Sequence, residues 1–293
     1  MAQFGEVLTA MVTPFTADLE VNYEAAADLA NYLVENGSDG VLVLGTTGEV
    51  PTLSKEEKLN LVETVIEAVG EKAKILVGSG SYSTQASIEM TQKVSQLEID
   101  GVMLVAPYYN KPPQAGLYEH FKQIAQSTEL PVMLYNVPGR TSKNIEAQTI
   151  AKLAEIDNIV AVKEASGDVQ QAAEINQLTA ADFDIYSGDD GMTLPILSIG
   201  GKGIVSVAAH LVGNQIKEMI GLYKAGQVEA AAQLNADLFP IFKKIFITTN
   251  PIPVKKALNL LGKEVGPLRP PLVEATQGQE ETLKSLLADY DLL

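Results

Sequence analysis

Eight short runs of near-continuous apolar, β-favouring residues recur along this chain, at 7–11, 40–44, 75–77, 101–105, 132–135, 159–163, 184–186 and 203–205. Stretches of helical periodicity separate them. Tyr23, Ala26, Ala27, Ala30, Leu33 and Val34 form one apolar stripe that stops before Gly37. Ser54 and Glu57 have capping-box spacing, Leu59, Val62, Ile66 and Val69 line the face that follows, and Gly70 ends it. Further helices are expected at 84–97, 114–127, 144–155, 168–178, 190–198 and 212–225. Strands without polar alternation, each followed by an amphipathic helix, require a parallel sheet covered by helices. Eight such units favour a closed (β/α)₈ TIM barrel, an α/β fold. The weak echo between Asp39-Gly40-Val41-Leu42-Val43 and Asp100-Gly101-Val102-Met103-Leu104 suits repeated units. An open doubly wound sheet is the alternative, but no strand leads into a GxGxxG turn. Beyond 226 the strand pattern ends and 227–247, 253–261 and 279–286 read as helices. The expected division is a barrel over 1–225 and a C-terminal helical appendage over 226–293.

A length of 293 residues suits one barrel with an appendage. Lysine and arginine number 21 against 37 acids, a formal charge of -16 that repels phosphate backbones and anionic lipid. Neither nucleic acid nor a membrane is expected as a partner. No apolar stretch has the length of a membrane span, and the residues from Met1 to Glu6 lack the features of a secretion signal, so the expected location is cytoplasmic. With no cysteine and only His120 and His210, thiol chemistry is excluded and a histidine metal site is disfavoured. Structural or solvated roles are expected for both histidines.

In a barrel the chemistry lies at the C-terminal ends of the strands. The second strand is followed by Gly45-Thr46-Thr47-Gly48-Glu49, the fourth by Pro107-Tyr108-Tyr109-Asn110-Lys111-Pro112, and the fifth by Tyr135-Asn136-Val137-Pro138-Gly139-Arg140-Thr141. Lys163 closes the sixth run. Burial disfavours a charged lysine, lowers its pKa from about 10.4 and frees the amine to attack a carbonyl. The structural alternative is a strand-end lysine reaching back to water. Its companions have structural alternatives too: a tight turn at Gly45 and Gly48, core or interface packing for Tyr108 and Tyr109, a surface ion pair for Arg140, helix caps at Asp189 and Asp190. Their joint placement around one lysine favours a site.

From Gly5 to the C-terminus the chain resembles the pyruvate-dependent class I aldolases, the superfamily that includes N-acetylneuraminate lyase, and within it the dihydrodipicolinate synthases. The collinear motifs are Gly45-Thr46-Thr47-Gly48-Glu49, Tyr108-Tyr109-Asn110, Tyr135-Asn136-Val137-Pro138-Gly139-Arg140-Thr141, Lys163-Glu164-Ala165 and Ser187-Gly188-Asp189-Asp190. Arg140 and Tyr109 point to the synthase branch rather than the sialic acid lyase. The resemblance implies that Lys163 forms a Schiff base with pyruvate, whose enamine adds to L-aspartate-4-semialdehyde on the route to diaminopimelate and lysine. It implies a proton relay of Tyr135, Thr46 and Tyr109, with Tyr109 donated into a neighbouring subunit of a homotetramer built as a dimer of dimers. Thr47 would hold the pyruvate carboxylate, Arg140 the carboxylate of the semialdehyde, and the backbone at Gly188 and Val205 would line the pyruvate pocket. No metal and no organic cofactor is implied.

One departure stands out. Members inhibited by lysine carry a polar, histidine-bearing site just beyond the Gly-Thr-Thr-Gly-Glu motif, where this chain has Val50, Lys55 and Lys58, and an asparagine and a glutamate of that site are replaced by Tyr82 and Ala86. Feedback by lysine is therefore expected to be weak or absent. Two rival functions remain open on the sequence: a sister lyase acting on another aldehyde acceptor, and a catalytically silent ligand-binding barrel.

Overall fold

A computed structural model describes residues 2–293. In chain order its elements are β1 (Val7–Ala10), α1 (Tyr23–Glu35), β2 (Gly40–Val43), α2 (Lys55–Val69), β3 (Lys74–Gly78), α3 (Thr84–Val94), β4 (Gly101–Val105), α4 (Gln114–Ala125), β5 (Val132–Asn136), α5 (Pro138–Thr141), α6 (Ala147–Leu153), β6 (Ile159–Glu164), α7 (Val169–Leu178), β7 (Asp184–Ser187), α8 (Thr193–Ser198), β8 (Gly203–Ser206), α9 (Ala209–Lys224), α10 (Val228–Lys244), α11 (Ile252–Leu260) and α12 (Gln277–Asp289). The eight strands close in sequence order into a barrel, as their apolar character requires. By internal packing the chain divides into two compact units, Lys74–Val205 with the N-terminal segment through Glu6, and Val7–Ala73 with Ser206–Leu293.

In the first unit, β4, β5, β6 and β7 pair in parallel, and the register sets Tyr135 beside Lys163 and Lys163 beside Tyr186. In the second, β1 pairs with β2, and α1 packs on α2 and α10 on α9. The Asp-Gly echo has a physical basis visible in both units. Asp39, just before β2, accepts a hydrogen bond from Val7 N at the start of β1 (3.0 Å), and Asp100, just before β4, accepts one from Ile75 N in β3 (2.8 Å). Each carboxylate satisfies a donor at the entrance of the preceding strand and takes a lysine besides, Lys217 and Lys74 respectively. The capping box on α2 is present, Glu57 N donating to Ser54 Oγ (3.1 Å) and Ser54 N to Glu57 Oε2 (2.7 Å).

Helix faces differ in detail from the sequence expectation. On α2 the buried residues are Leu61, Val62, Val65 and Val69 rather than Leu59, Val62, Ile66 and Val69, and on α1 Leu29 is buried while Ala27 and Val34 are half-buried. Both sequences hold two overlapping apolar stripes about one residue apart, and the α1–α2 contact selects between them. Gly37 ends α1 with φ +101°, where a β-carbon would lie 2.8 Å from Asn214 N. The helix expected over 144–155 is shorter, and the one-turn α5 precedes it. His210 lies in the first turn of α9, fully buried, accepting from Val12 N at Nε2 (3.2 Å) and facing Val207 O from Nδ1 (2.8 Å). Burial pushes His210 and His120 down to about 4, so both are neutral structural side chains near neutral pH. Among the described residues no helix is long and apolar enough to cross a membrane, and no group of three or more His, Asp or Glu is arranged to hold a metal ion.

Candidate active site

Strand alternation divides the end of β6 into two faces. Lys163 and its registered neighbours Tyr135 and Tyr186 share one face, while Asn136, Glu164 and Ser187 share the other. Lys163 is 5% exposed, and its Nζ lies 4.3 Å from the centroid of the Tyr135 ring. Burial lowers its pKa to about 7, the nearby Asp190 charge opposes that fall, and Arg140 adds to it. A far larger share of the amine is therefore neutral near pH 7 than for an exposed lysine. Gly188 makes room for this side chain. A β-carbon there would lie 2.6 Å from Ala165 Cβ and 3.0 Å from both Cε and Cγ of Lys163.

The opposite face holds a buried polar cluster that fixes the strand end. Glu164 Oε2 accepts from Asn136 Nδ2 (3.0 Å) and Gln171 Nε2 (3.1 Å), and its Oε1 accepts from Ser166 N (2.6 Å). Asn136 Nδ2 also donates to Asn144 Oδ1 (2.8 Å), and its Oδ1 accepts from Ile145 N (2.9 Å). Strand, loop and α7 are thus tied behind the lysine, with the carboxylate satisfied by N–H groups rather than left bare.

Arg140 sits exposed in α5 at the C-terminal end of β5, close enough for its charge to be felt at Lys163. Val205 is buried on β8. Tyr109 stands apart: it is 91% exposed and has φ +71°, a left-handed backbone uncommon for a non-glycine residue. Its neighbours are anchored, because Asn110 Nδ2 donates to Tyr82 O (2.9 Å) and Tyr82 meets Tyr108 edge to face at 5.3 Å. The expectation that Asp189 and Asp190 cap a helix holds for Asp189, which accepts from Gly191 N (2.9 Å) at the start of a 3₁₀ turn. Asp190 is instead 1% exposed and is the acidic charge that acts on Lys163, a role its Asp-Asp context did not disclose.

Thr46 and Thr47 belong to the other compact unit, in the 3₁₀ turn Thr46–Gly48 after β2. Thr47 is buried and its Oγ1 accepts from Asn250 Nδ2 (2.9 Å). Thr13 Oγ1 donates to Gly48 O (2.7 Å). Glu49 closes the turn in a left-handed conformation, φ +52°, and its carboxylate is buried against Lys255 (Nζ to Oε1, 3.0 Å) and the Arg269 N–H (2.9 Å to Oε2). Burial holds Lys255 below the ordinary lysine range, with Glu49 opposing. Sequence reasoning passed over Lys255, which closes the short apolar run Ile252-Pro253-Val254 but is followed by a second lysine, Lys256, and so reads as a solvated helix face. Asn250 carried no signal either.

The family model described as "Dihydrodipicolinate synthetase family" matches residues 3–290. The chain belongs to that family. It is 59% identical over 290 residues to a 4-hydroxy-tetrahydrodipicolinate synthase of Desulforudis audaxviator (strain MP104C), covering 99% of both chains. It is 57% identical to the synthase of Cyanothece sp. (strain PCC 7425 / ATCC 29141), covering 100% of each. A crystal structure of DHDPS from Cyanidioschyzon merolae with lysine bound superposes with a TM-score of 0.98 at 47% identity, again over 100% of each chain.

Proposed function

We propose that Lys163 is the nucleophile through which this lyase condenses pyruvate with L-aspartate-4-semialdehyde to 4-hydroxy-tetrahydrodipicolinate, a step of diaminopimelate and lysine biosynthesis. One observation carries the assignment: a buried amine brought down to about 7 beside a phenol ring. The neutral amine adds to the pyruvate ketone and water leaves, giving an iminium. Loss of a methyl proton gives the enamine, which attacks the aldehyde carbon, and cyclisation with transimination returns Lys163. Tyr135, Thr46 and Tyr109 relay the protons, since a phenol or hydroxyl can both donate and accept. Thr47 holds the pyruvate carboxylate, Gly188 and Val205 line that subsite, and Arg140 forks onto the carboxylate of the semialdehyde, a geometry lysine cannot reproduce.

Arg140 separates this acceptor from those of sister lyases. Arg140→Ala is expected to raise KM for the semialdehyde by about tenfold to a hundredfold while leaving KM for pyruvate close to wild type. An unchanged semialdehyde KM would transfer the enzyme to another acceptor. The rate of borohydride-trapped pyruvate adduct formation should fall about tenfold per pH unit below about 7 and level off above it, because protonation of Lys163 removes the nucleophile. A flat profile between about pH 5 and about pH 9 would contradict the role of burial.

Further readings carry over from the sequence and from the resemblance. The assembly is a homotetramer, a dimer of dimers in which Tyr109 reaches a neighbour's site, and the outward, left-handed Tyr109 supports this. The enzyme works in the cytoplasm, with 1–225 as its barrel and 226–293 as a helical appendage. Feedback is weak or absent, because Val50 offers no side-chain hydrogen bond, Lys55 and Lys58 repel an ammonium ligand, and Tyr82 packs against Tyr108. Steady-state rates should be unchanged by submillimolar L-lysine; strong inhibition there would refute it.

A further inference from the structure

Among the described residues two lysines are buried, and the proposed condensation uses one of them. Lys255 on α11 is 1% exposed, and its ammonium is fully committed: Nζ donates to Glu49 Oε1 (3.0 Å), Thr13 O (3.0 Å) and Pro267 O (2.5 Å), and lies 4.3 Å from the Phe15 ring centroid. Three donors directed at three acceptors leave the group no nucleophilic capacity. They give it a fixed position instead.

That position is at the end of the turn carrying Thr46 and Thr47. Glu49 accepts the Lys255 bond on one oxygen and the Arg269 N–H on the other, so its side chain cannot swing, and its backbone is held at φ +52°. Thr13 completes the grip, because the residue whose carbonyl takes Lys255 sends its own hydroxyl to Gly48 O (2.7 Å). Gly48 and Glu49, the two residues after Thr47, are therefore clamped from Lys255 directly and through Thr13. A buried ion pair is a poor device for stability alone, since apolar side chains of similar volume commonly serve as well, and its better-attested use is to select one conformation.

We propose that Lys255 is a positioning residue for Thr47 and Thr46, acting through Glu49 so that the C-terminal helical segment sets the geometry of the hydroxyl-bearing turn. The inference rests on the reading of Thr47 as the holder of the pyruvate carboxylate. Lys255 touches no reacting atom. Its influence should fall on pyruvate and spare the acceptor.

The test compares Lys255→Met, the charge-neutral double variant Lys255→Met with Glu49→Gln, and Thr47→Val in the full-length enzyme. The measurements are thermal unfolding, KM for each substrate and kcat. The double variant leaves no buried charge unpaired and is expected to remain folded, yet to raise KM for pyruvate about tenfold and lower kcat, with KM for the semialdehyde within about twofold of wild type. Thr47→Val should shift the same two parameters. If it does and the double variant keeps wild-type kinetics, the positioning role is overturned while the reading of Thr47 stands. If Thr47→Val leaves KM for pyruvate unchanged, the reading of Thr47 itself fails. Loss of the folded state in the double variant would assign the pair to folding and overturn the inference.

Discussion

Replacing Lys163 by methionine should abolish turnover, by about a thousandfold or more, and eliminate the borohydride-trapped pyruvate adduct, while making the protein harder to unfold. The first two effects follow from removing the proposed nucleophile. The third follows from its burial. A fall from 10.5 to about 7 corresponds to a cost on the order of 5 kcal/mol for holding the ammonium in the folded chain, and methionine fills similar space without it. The pH dependence has a definite sign. Between about pH 7 and 10.5 the unfolded chain retains a proton at Lys163 that the folded chain has lost, so wild-type stability from this site rises with pH over that window. The penalty is complete below about pH 7. The gain in Tm from Lys163→Met should therefore be larger at about pH 6 than at about pH 9. Wild-type turnover in the variant would remove the assigned nucleophile, and a gain in Tm equal at both pH values would remove the burial account.

Gly188→Ala is expected to cost about a hundredfold in kcat although alanine adds a single carbon far smaller than any substrate. The added carbon would lie 2.6 Å from Ala165 Cβ, which only a shift of the backbone carrying Ala165 or residue 188 relieves, and 3.0 Å from two carbons of the Lys163 side chain, which the lysine relieves by leaving its rotamer. β6 resists, because Glu164 on its far face is tied to Asn136, Gln171 and Ser166, and because Gly188 N already donates to Glu164 O (2.7 Å). The flexible lysine yields, and the amine moves away from its place over the Tyr135 ring. Gly221→Ala is the matched control: nothing lies within 4 Å of its β-carbon, and alanine favours the helix there. The comparison is read from kcat and from the rate of adduct formation with pyruvate. Equal kinetics in the two variants would show that the lysine does not depend on the clearance at residue 188.

The barrel was legible because its strands lie buried on both faces, and an uninterrupted apolar run such as Val132-Met133-Leu134 admits few other environments. The Asp-Gly echo was visible as a repeat, but its work, a carboxylate accepting from an N–H at the start of the neighbouring strand, is a contact between elements that no single run encodes. The helix faces of α1 and α2 were misassigned by about one residue because each sequence supports two stripes and the partner helix chooses. At the site, Lys163 announced itself by closing an apolar run. Lys255 gave no such signal, because it lies on a helix beyond the last strand and is followed by Lys256. Asp190 looked like a cap because its sequence context is a cap's context. Its charge reaches Lys163 only through the fold, from the 3₁₀ turn that follows β7.

The alternation at the end of β6 has an evolutionary consequence. Because Lys163 and Glu164 face opposite ways, the groups that fix the backbone and the amine proposed to meet the reactants occupy separate sides of one strand. If Arg140 holds the acceptor as proposed, mutations among such loop residues would exchange one aldehyde for another without loosening the anchor behind the amine. A scaffold partitioned in this way can radiate into new carbon–carbon bond chemistries while its electron sink stays in place.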